Sequence, residues 1–411
     1  MIVALGVIAA ACGGGGGDGG AETEGGGDPA SADDAAAVDR KVGNEPVQPV
    51  SSPSEDVPSA LADPANAVWD DTRLVDADEV LSGGPPPDGI PAIDDPKFAP
   101  ASEIDFLEDN EPVVSLQIGD EVRAYPIQVM TWHEIVNDQF GDVPVTVTFC
   151  PLCNSALAYN RQVGDRVLEF GTSGLLHNSA LVMYDRQTET LWDHFNSRAI
   201  IGELAGEELE VFPMQTVGWA DWREANPDGL VLTRDTGFER RYGNNPYSGY
   251  DDINRTPYLF RGESDDRRQA MERFVTVRDE DLPEELRSGA DPVAVAQADL
   301  VELGVLEVEM GDVTLSFWAE PGTASALDDV VIAAGRDVGQ TGVFLPEVDG
   351  RRLTFERRGD AFIDNETGSR WSVFGEAIEG ELAGSKLQAV NSLNTFWFAW
   401  AASYPDTRIL P

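Results

Sequence analysis

Three cysteines and three histidines are the residues of this 411-residue chain best suited to chemistry. Two of the cysteines stand in Thr148-Phe149-Cys150-Pro151-Leu152-Cys153-Asn154-Ser155, where alternating Val and Thr run straight into C-x-x-C. A two-residue spacer brings both sulfurs to one side of a tight turn, which suits three uses. The pair can be a metal knuckle, with two thiolates in adjacent positions around a soft or borderline ion. It can be a working dithiol, for which Pro between the cysteines resembles glutaredoxin-like motifs. It can be a structural disulfide between Cys150 and Cys153, natural in an exported protein. For a transition metal, copper or zinc, the expected ligands are Cys150, Cys153, His133 in Thr131-Trp132-His133-Glu134-Ile135, and His177. Glu134, Asp138 and His194 would support those ligands from behind or serve acid/base work. His177 lies in Gly171-Thr172-Ser173-Gly174-Leu175-Leu176-His177-Asn178-Ser179, which reads as a Gly-punctuated loop. No G-x-S-x-G and no G-x-x-x-x-G-K-[ST] is present, which argues against a serine hydrolase and a phosphate loop.

The chain that must position these residues carries 28 Lys plus Arg against 74 Asp plus Glu, a net charge of −46. So negative a surface repels a phosphate backbone, and nucleic acid is excluded as a partner. A hydrophobic fraction of 42 % is enough for a packed core. Residues 1–12 form an apolar run too short to span a bilayer, ending Ile8-Ala9-Ala10-Ala11-Cys12. They resemble a lipoprotein signal, although no Lys or Arg precedes the run. The expectation is a lipidated Cys12 and an extracytoplasmic protein whose partner is a membrane reached through that lipid. Residues 13–66, rich in Gly, Ala, Asp and Pro, read as a disordered tether.

The remainder repeats itself. Ala199-Ile200-Ile201-Gly202-Glu203-Leu204-Ala205-Gly206 returns as Ala377-Ile378-Glu379-Gly380-Glu381-Leu382-Ala383-Gly384, and the register continues through Trp219/Trp397, Trp222/Trp400, Pro227/Pro405 and Asp228/Asp406. Asp185, Thr188 and Trp192 match Asp364, Thr367 and Trp371. This gives a first repeat over 67–234, a connecting segment over 235–292 and a second, degenerate repeat over 293–411. Residues kept by both repeats read as architecture, the Trp pair at i and i+3 lying on one helix face. Residues confined to the first read as chemistry: Cys150 falls opposite Trp318, His133 near Val301 and His194 opposite Val373. Alternation and β-branched runs predict strands at 113–118, 122–125, 143–149, 156–159, 167–170 and 181–184, and helices at 125–136 and 216–226, the latter capped by Thr216. The expected fold class is α+β and β-rich, with two diverged copies of one unit packed together. Sandwich and barrel both remain open.

Gly83-Gly84-Pro85, Asp88-Gly89-Ile90-Pro91-Ala92-Ile93, Ala124-Tyr125-Pro126, Trp132-His133-Glu134-Ile135-Val136-Asn137-Asp138, Cys150-Pro151-Leu152-Cys153, Met183-Tyr184-Asp185-Arg186-Gln187-Thr188 and Tyr242-Gly243-Asn244-Asn245-Pro246-Tyr247 occur in this order. Together they resemble the bacterial and archaeal domain of unknown function family 3179. The resemblance implies no activity, but it makes Cys150 and the His133-Glu134 pair more characteristic than Cys153, His177 or His194. The functional expectation is a site for a transition metal or for thiol redox chemistry. The alternative is a non-enzymatic binding module with a disulfide, in which the groove between the copies holds a partner.

Overall fold

The computed structural model describes residues 59–62, 64 and 73–411, so Cys12, the leader and most of the expected tether lie outside the described residues. β-Branched alternation does build strands, and they gather into small sheets instead of one sandwich or barrel. In the first half one sheet orders Met214–Gly218, Pro112–Ile118, Glu121–Pro126, Leu230–Leu232 and Phe98–Pro100. A second orders Val211–Phe212, Ser155–Asn160, Val143–Cys150 and Ile135–Phe140, and a third runs from Val80–Ser82 through Phe170–His177, Ala180–Asp185 and Leu191–Asp193 to Arg198–Ile201.

The same three orders occur again further along the chain. Leu393–Phe396, Arg273–Val277, Val293–Ala296 and Arg408–Leu410 follow the first sheet. Gln388–Ala389, Gln340–Leu345, Val313–Glu320 and Val305–Met310 follow the second, and the strands from Phe355–Arg358 to Ala377–Glu379 follow the third. Four seven-residue α-helices complete the described residues: Ile127–His133 and Trp219–Ala225, then Gln297–Leu303 and Trp397–Ser403. None is long and apolar enough to cross a membrane.

Shared residues account for this shared architecture. Asp185 accepts hydrogen bonds from the Thr188 amide and hydroxyl and from Trp192 Nε1, and Asp364 accepts the same set from Thr367 and Trp371. Each carboxylate thereby pins the turn between two strands and fixes a buried indole. The tryptophan helices cross over: Trp397 and Trp400 pack with first-half residues such as Trp192 and Phe195, whereas Trp219 and Trp222 pack with second-half Trp318, Phe362 and Trp371. Each half therefore completes the other's core.

Three local expectations change. The helix expected over 125–136 ends at His133, because Glu134 turns the backbone left-handed (φ 60°) and Ile135 begins a strand. Thr216 lies inside the strand Met214–Gly218, and Gly218 precedes the helix without a side-chain cap. The expected loop 171–179 is mostly the strand Phe170–His177, bulged between Thr172 and Leu175. Gly174 in that bulge has φ 75°, and a Cβ there would lie 2.0 Å from the Pro85 carbonyl oxygen, so a glycine is required for the Gly83-Gly84-Pro85 segment to lie against it.

Candidate functional site

Cys150 ends a central strand, and the Pro151-Leu152 turn returns the chain so that Cys150 pairs with Ser155 in the neighbouring strand. Both cysteines are free thiols, so the disulfide of the alternative reading is not formed here. They are 2 % and 0 % exposed. The turn is held from the other half: the Cys153 carbonyl accepts from the Phe396 amide (3.0 Å) and from Thr395 Oγ1 (2.9 Å). Burial, with Cys150 beside it, pushes the Cys153 thiol pKa well up, so its resting form is the neutral thiol.

From Cys153 a chain of hydrogen bonds runs inward, and its direction is fixed at the far end. Thr148 Oγ1 is 3.0 Å from the Leu157 carbonyl oxygen, which can only accept, so Thr148 donates there. Thr148 must then accept from His194 Nδ1 (3.0 Å), which places the ring proton on Nδ1. His194 Nε2 accepts from the Ser155 hydroxyl (2.9 Å), and Ser155 accepts from the Cys153 thiol (2.9 Å). Burial holds the His194 pKa down at about 4 against the opposing charge of Asp193, so the ring is neutral and its Nε2 lone pair faces a proton donor. His194, expected as a supporting residue, is thus at the centre of the chain.

On the other side of the thiols, the Tyr242-Gly243-Asn244-Asn245-Pro246-Tyr247 segment clamps Trp132-His133-Glu134. Trp132 Nε1 donates to the Asn244 carbonyl (3.1 Å), Tyr242 Oη donates to His133 Nε2 (2.7 Å), and Tyr247 Oη donates to Glu134 Oε1 (3.3 Å). His133 Nδ1 donates to the Pro91 carbonyl (2.8 Å), so both of its nitrogens are occupied, and burial holds its pKa down at about 4. Burial pushes the Glu134 pKa up to about 7, with the Tyr247 hydrogen bond opposing. Burial likewise raises Tyr247 well above its usual value, the charges of Glu134 and Cys150 adding to the effect. Glu134 occupies the left-handed position that Gly304 (φ 80°) fills in the second half. Glycine adopts that backbone freely, whereas a residue with a Cβ accepts a cost of about 1 kcal/mol. The first half accepts it and so places a carboxylic acid beside Tyr247.

His177 and Asp138 stand apart. His177 Nδ1 contacts Asp193 (2.9 Å); burial alone would lower the His177 pKa, but the Asp193 hydrogen bond and charge outweigh it and raise it. Asp138 faces Arg123 Nη1 (2.6 Å) and Tyr125 Oη (2.5 Å) in the first sheet. The four expected ligands are therefore not assembled, and among the described residues no three His, Cys, Asp or Glu side chains stand where they could hold a metal ion. Protein purified without chelator is expected to carry zinc well below one equivalent per chain by elemental analysis. Stoichiometric zinc would show that His133 or His194 leaves its hydrogen bonds to bind it.

Strand registers also revise the expected correspondence between the halves. Ile135 pairs with Thr148 as Val305 pairs with Trp318, and Cys150 pairs with Ser155 as Glu320 pairs with Gln340. Thr148 is thus equivalent to Trp318, Cys150 to Glu320 and His133 to Leu303, two residues away from the sequence-based match. Where the first half has Thr148 and His194, the second has Trp318 and Val373 in an apolar core.

Comparison with curated proteins returns no match, and comparison with solved structures returns none. One family description matches, "Protein of unknown function (DUF3179)", over residues 87–407. Most of the chain lies within that match, so the protein belongs to the DUF3179 family.

Proposed function

We propose that Cys150 and Cys153 form a buried dithiol that cycles to a disulfide. The observation that carries this reading is the Cys153–Ser155–His194–Thr148 chain, whose inner members Thr148 and His194 are replaced by apolar Trp318 and Val373 in the other half. A fold that closes equally well around Trp318 and Val373 does not need a buried imidazole there, and buried polar chains are costly unless every member is satisfied. Closing the disulfide removes two protons and two electrons from the thiols. The Cys153 proton passes to Ser155 as the Ser155 proton passes to His194 Nε2. The Cys150 side faces Tyr247 and Glu134, whose raised pKa keeps that acid near its midpoint at neutral pH. The Cys150 proton leaves toward Glu134, and the two electrons with two protons in net go to an external disulfide, which becomes two thiols. A lipid anchor at Cys12 would place this pair outside the cytoplasm, where disulfides persist.

The test is equilibration in graded mixtures of reduced and oxidised glutathione, read by the mass loss of two hydrogens and by alkylation after unfolding. A reversible Cys150–Cys153 disulfide is expected. Ser155→Ala is expected to slow its formation at pH 7 by about 100-fold, the usual effect of removing positioned proton transfer. Thiols that stay reduced across the range, or a Ser155→Ala rate equal to the parent's, would sink the proposal.

A further inference from the structure

A cleft partly open to solvent lies where the two halves meet. Its walls are built from equivalent positions. Pro112 and Arg273 open equivalent strands, each paired with the residue that precedes a tryptophan helix, Gly218 or Phe396. Ile127 and Gln297 open equivalent helices, and Ala156 and Thr341 are the second residues of equivalent strands. In each pair the first half brings an apolar side chain and the second a polar one. The cleft thus has an apolar surface, which Phe149 and Met214 extend, beside a richer set of hydrogen-bonding groups from the second half, although Asn154, Gln215 and Thr216 bring polar groups from the first half as well.

Among the second-half groups, Arg273 Nε, Gln297 Oε1 and Thr323 Oγ1 are buried with no hydrogen-bond partner. Gln297 and Thr323 are each 3 % exposed. Such orphans are rare in folded proteins, and a ligand that reaches them recovers what their desolvation costs. The set is mixed: Arg273 Nε only donates, Gln297 Oε1 only accepts, and Thr323 does both. A carboxylate satisfies Arg273 but is repelled by Gln297, and an ammonium satisfies Gln297 but is repelled by Arg273. Hydroxyl groups donate and accept, so neighbouring hydroxyls can serve all three. Arg273 offers little pull on an anion, because the fully buried Asp251 already takes its Nη2 at 2.8 Å. The apolar surface suits the C–H face of a sugar ring.

We infer that this cleft binds a small uncharged polyhydroxylated molecule of the monosaccharide class, recognised by second-half polar groups and packed against first-half apolar ones. The inference is independent of the dithiol. Its test is calorimetric titration of the full chain with glucose, galactose, mannose and N-acetylglucosamine. Saturable one-to-one binding of at least one is expected. Thr323→Val keeps the side-chain shape and removes a hydroxyl that has no partner, so the free protein should unfold at an unchanged or higher temperature while its sugar affinity falls about tenfold. No saturation by any of the four sugars overturns the inference. So does undiminished binding by Thr323→Val, or saturable binding of acetate or methylammonium in place of the sugars.

Discussion

Asp138→Ala is expected to cost about 3–5 kcal/mol of stability, the usual penalty for stripping one partner from a buried ion pair. Both Asp138 oxygens lie 2.6 Å from Arg123 Nη1, and Tyr125 Oη donates to the same carboxylate. The Arg123 guanidinium lies 4.6 and 4.1 Å from the centroids of the Phe98 and Phe140 rings and is 5 % exposed, so it has little access to water when the carboxylate is lost. Glu121 remains as a partner at 2.7 Å but sits toward solvent and offsets only part of the loss. Urea unfolding measures the change. Replacing both charges, as Arg123→Met with Asp138→Leu, should restore part of the stability, since the unpaired buried charge is then gone while the Tyr125 hydroxyl still lacks its acceptor. Dithiol oxidation below the unfolding transition should be unaltered in either variant. A loss below about 1 kcal/mol for Asp138→Ala would mean that the pair is solvated, and altered thiol chemistry would return Asp138 to the site.

That a residue five places from His133 belongs to another structure illustrates what sequence spacing can and cannot convey. Repetition conveyed the architecture: Asp185, Thr188 and Trp192 with their counterparts, and the two Trp pairs, keep the same hydrogen bonds or the same crossed packing in both halves. Local periodicity conveyed most strands, but it carried the helix through Glu134, because a left-handed Glu is a choice no propensity favours. The thiol pair was legible as C-x-x-C. Its partners were not, since Ser155 and Thr148 are ordinary strand residues by type, and Tyr242 and Tyr247 reach His133 and Glu134 from more than a hundred positions away. The histidines looked like ligands because imidazoles often are. In the fold their nitrogens are already taken, by Pro91 and Tyr242 for His133 and by Thr148 and Ser155 for His194. The second half, read as a passive partner, supplies the residues that hold the Cys153 carbonyl and the unpartnered polar groups of the cleft.

Replacing Glu134 and Glu320 together by Gln is expected to stabilise the protein at pH 7 by an amount that disappears toward pH 4.5. Burial pushes both carboxyl pKa values up to about 7 from 4.5, with Asp221 adding to the rise at Glu320. Between pH 4.5 and 7 the unfolded chain ionises both groups while the native chain keeps them largely protonated, so stability falls as pH rises. Each shift is worth about 3 kcal/mol at pH 7, and Gln, neutral and of the same shape, removes it. His133 and His194 act with the opposite sign. Burial lowers both from 6.5 to about 4, so the unfolded chain takes up protons below pH 6.5 that the native chain refuses. Their contribution is complete above pH 6.5 and is lost as pH falls toward 4. In the parent protein the two pairs oppose each other across pH 4.5–6.5 and the profile is shallow. In the double variant the two histidines are no longer opposed by these carboxyls, and relative to the parent its stability should fall with acid by about 1.4 kcal/mol per pH unit for each carboxyl removed. Urea unfolding of both proteins side by side across this range isolates the difference, because the effect of the −46 charge is common to the two. A constant offset, or a variant weaker at pH 7, would show that the native carboxyls are ionised and paired. Glu320 stands where Cys150 stands in the first half, and Glu134 where Gly304 stands in the second. At both places the fold has a partner solution that lacks the group, so stability gained on removing the acids would mark them as kept for a task other than folding.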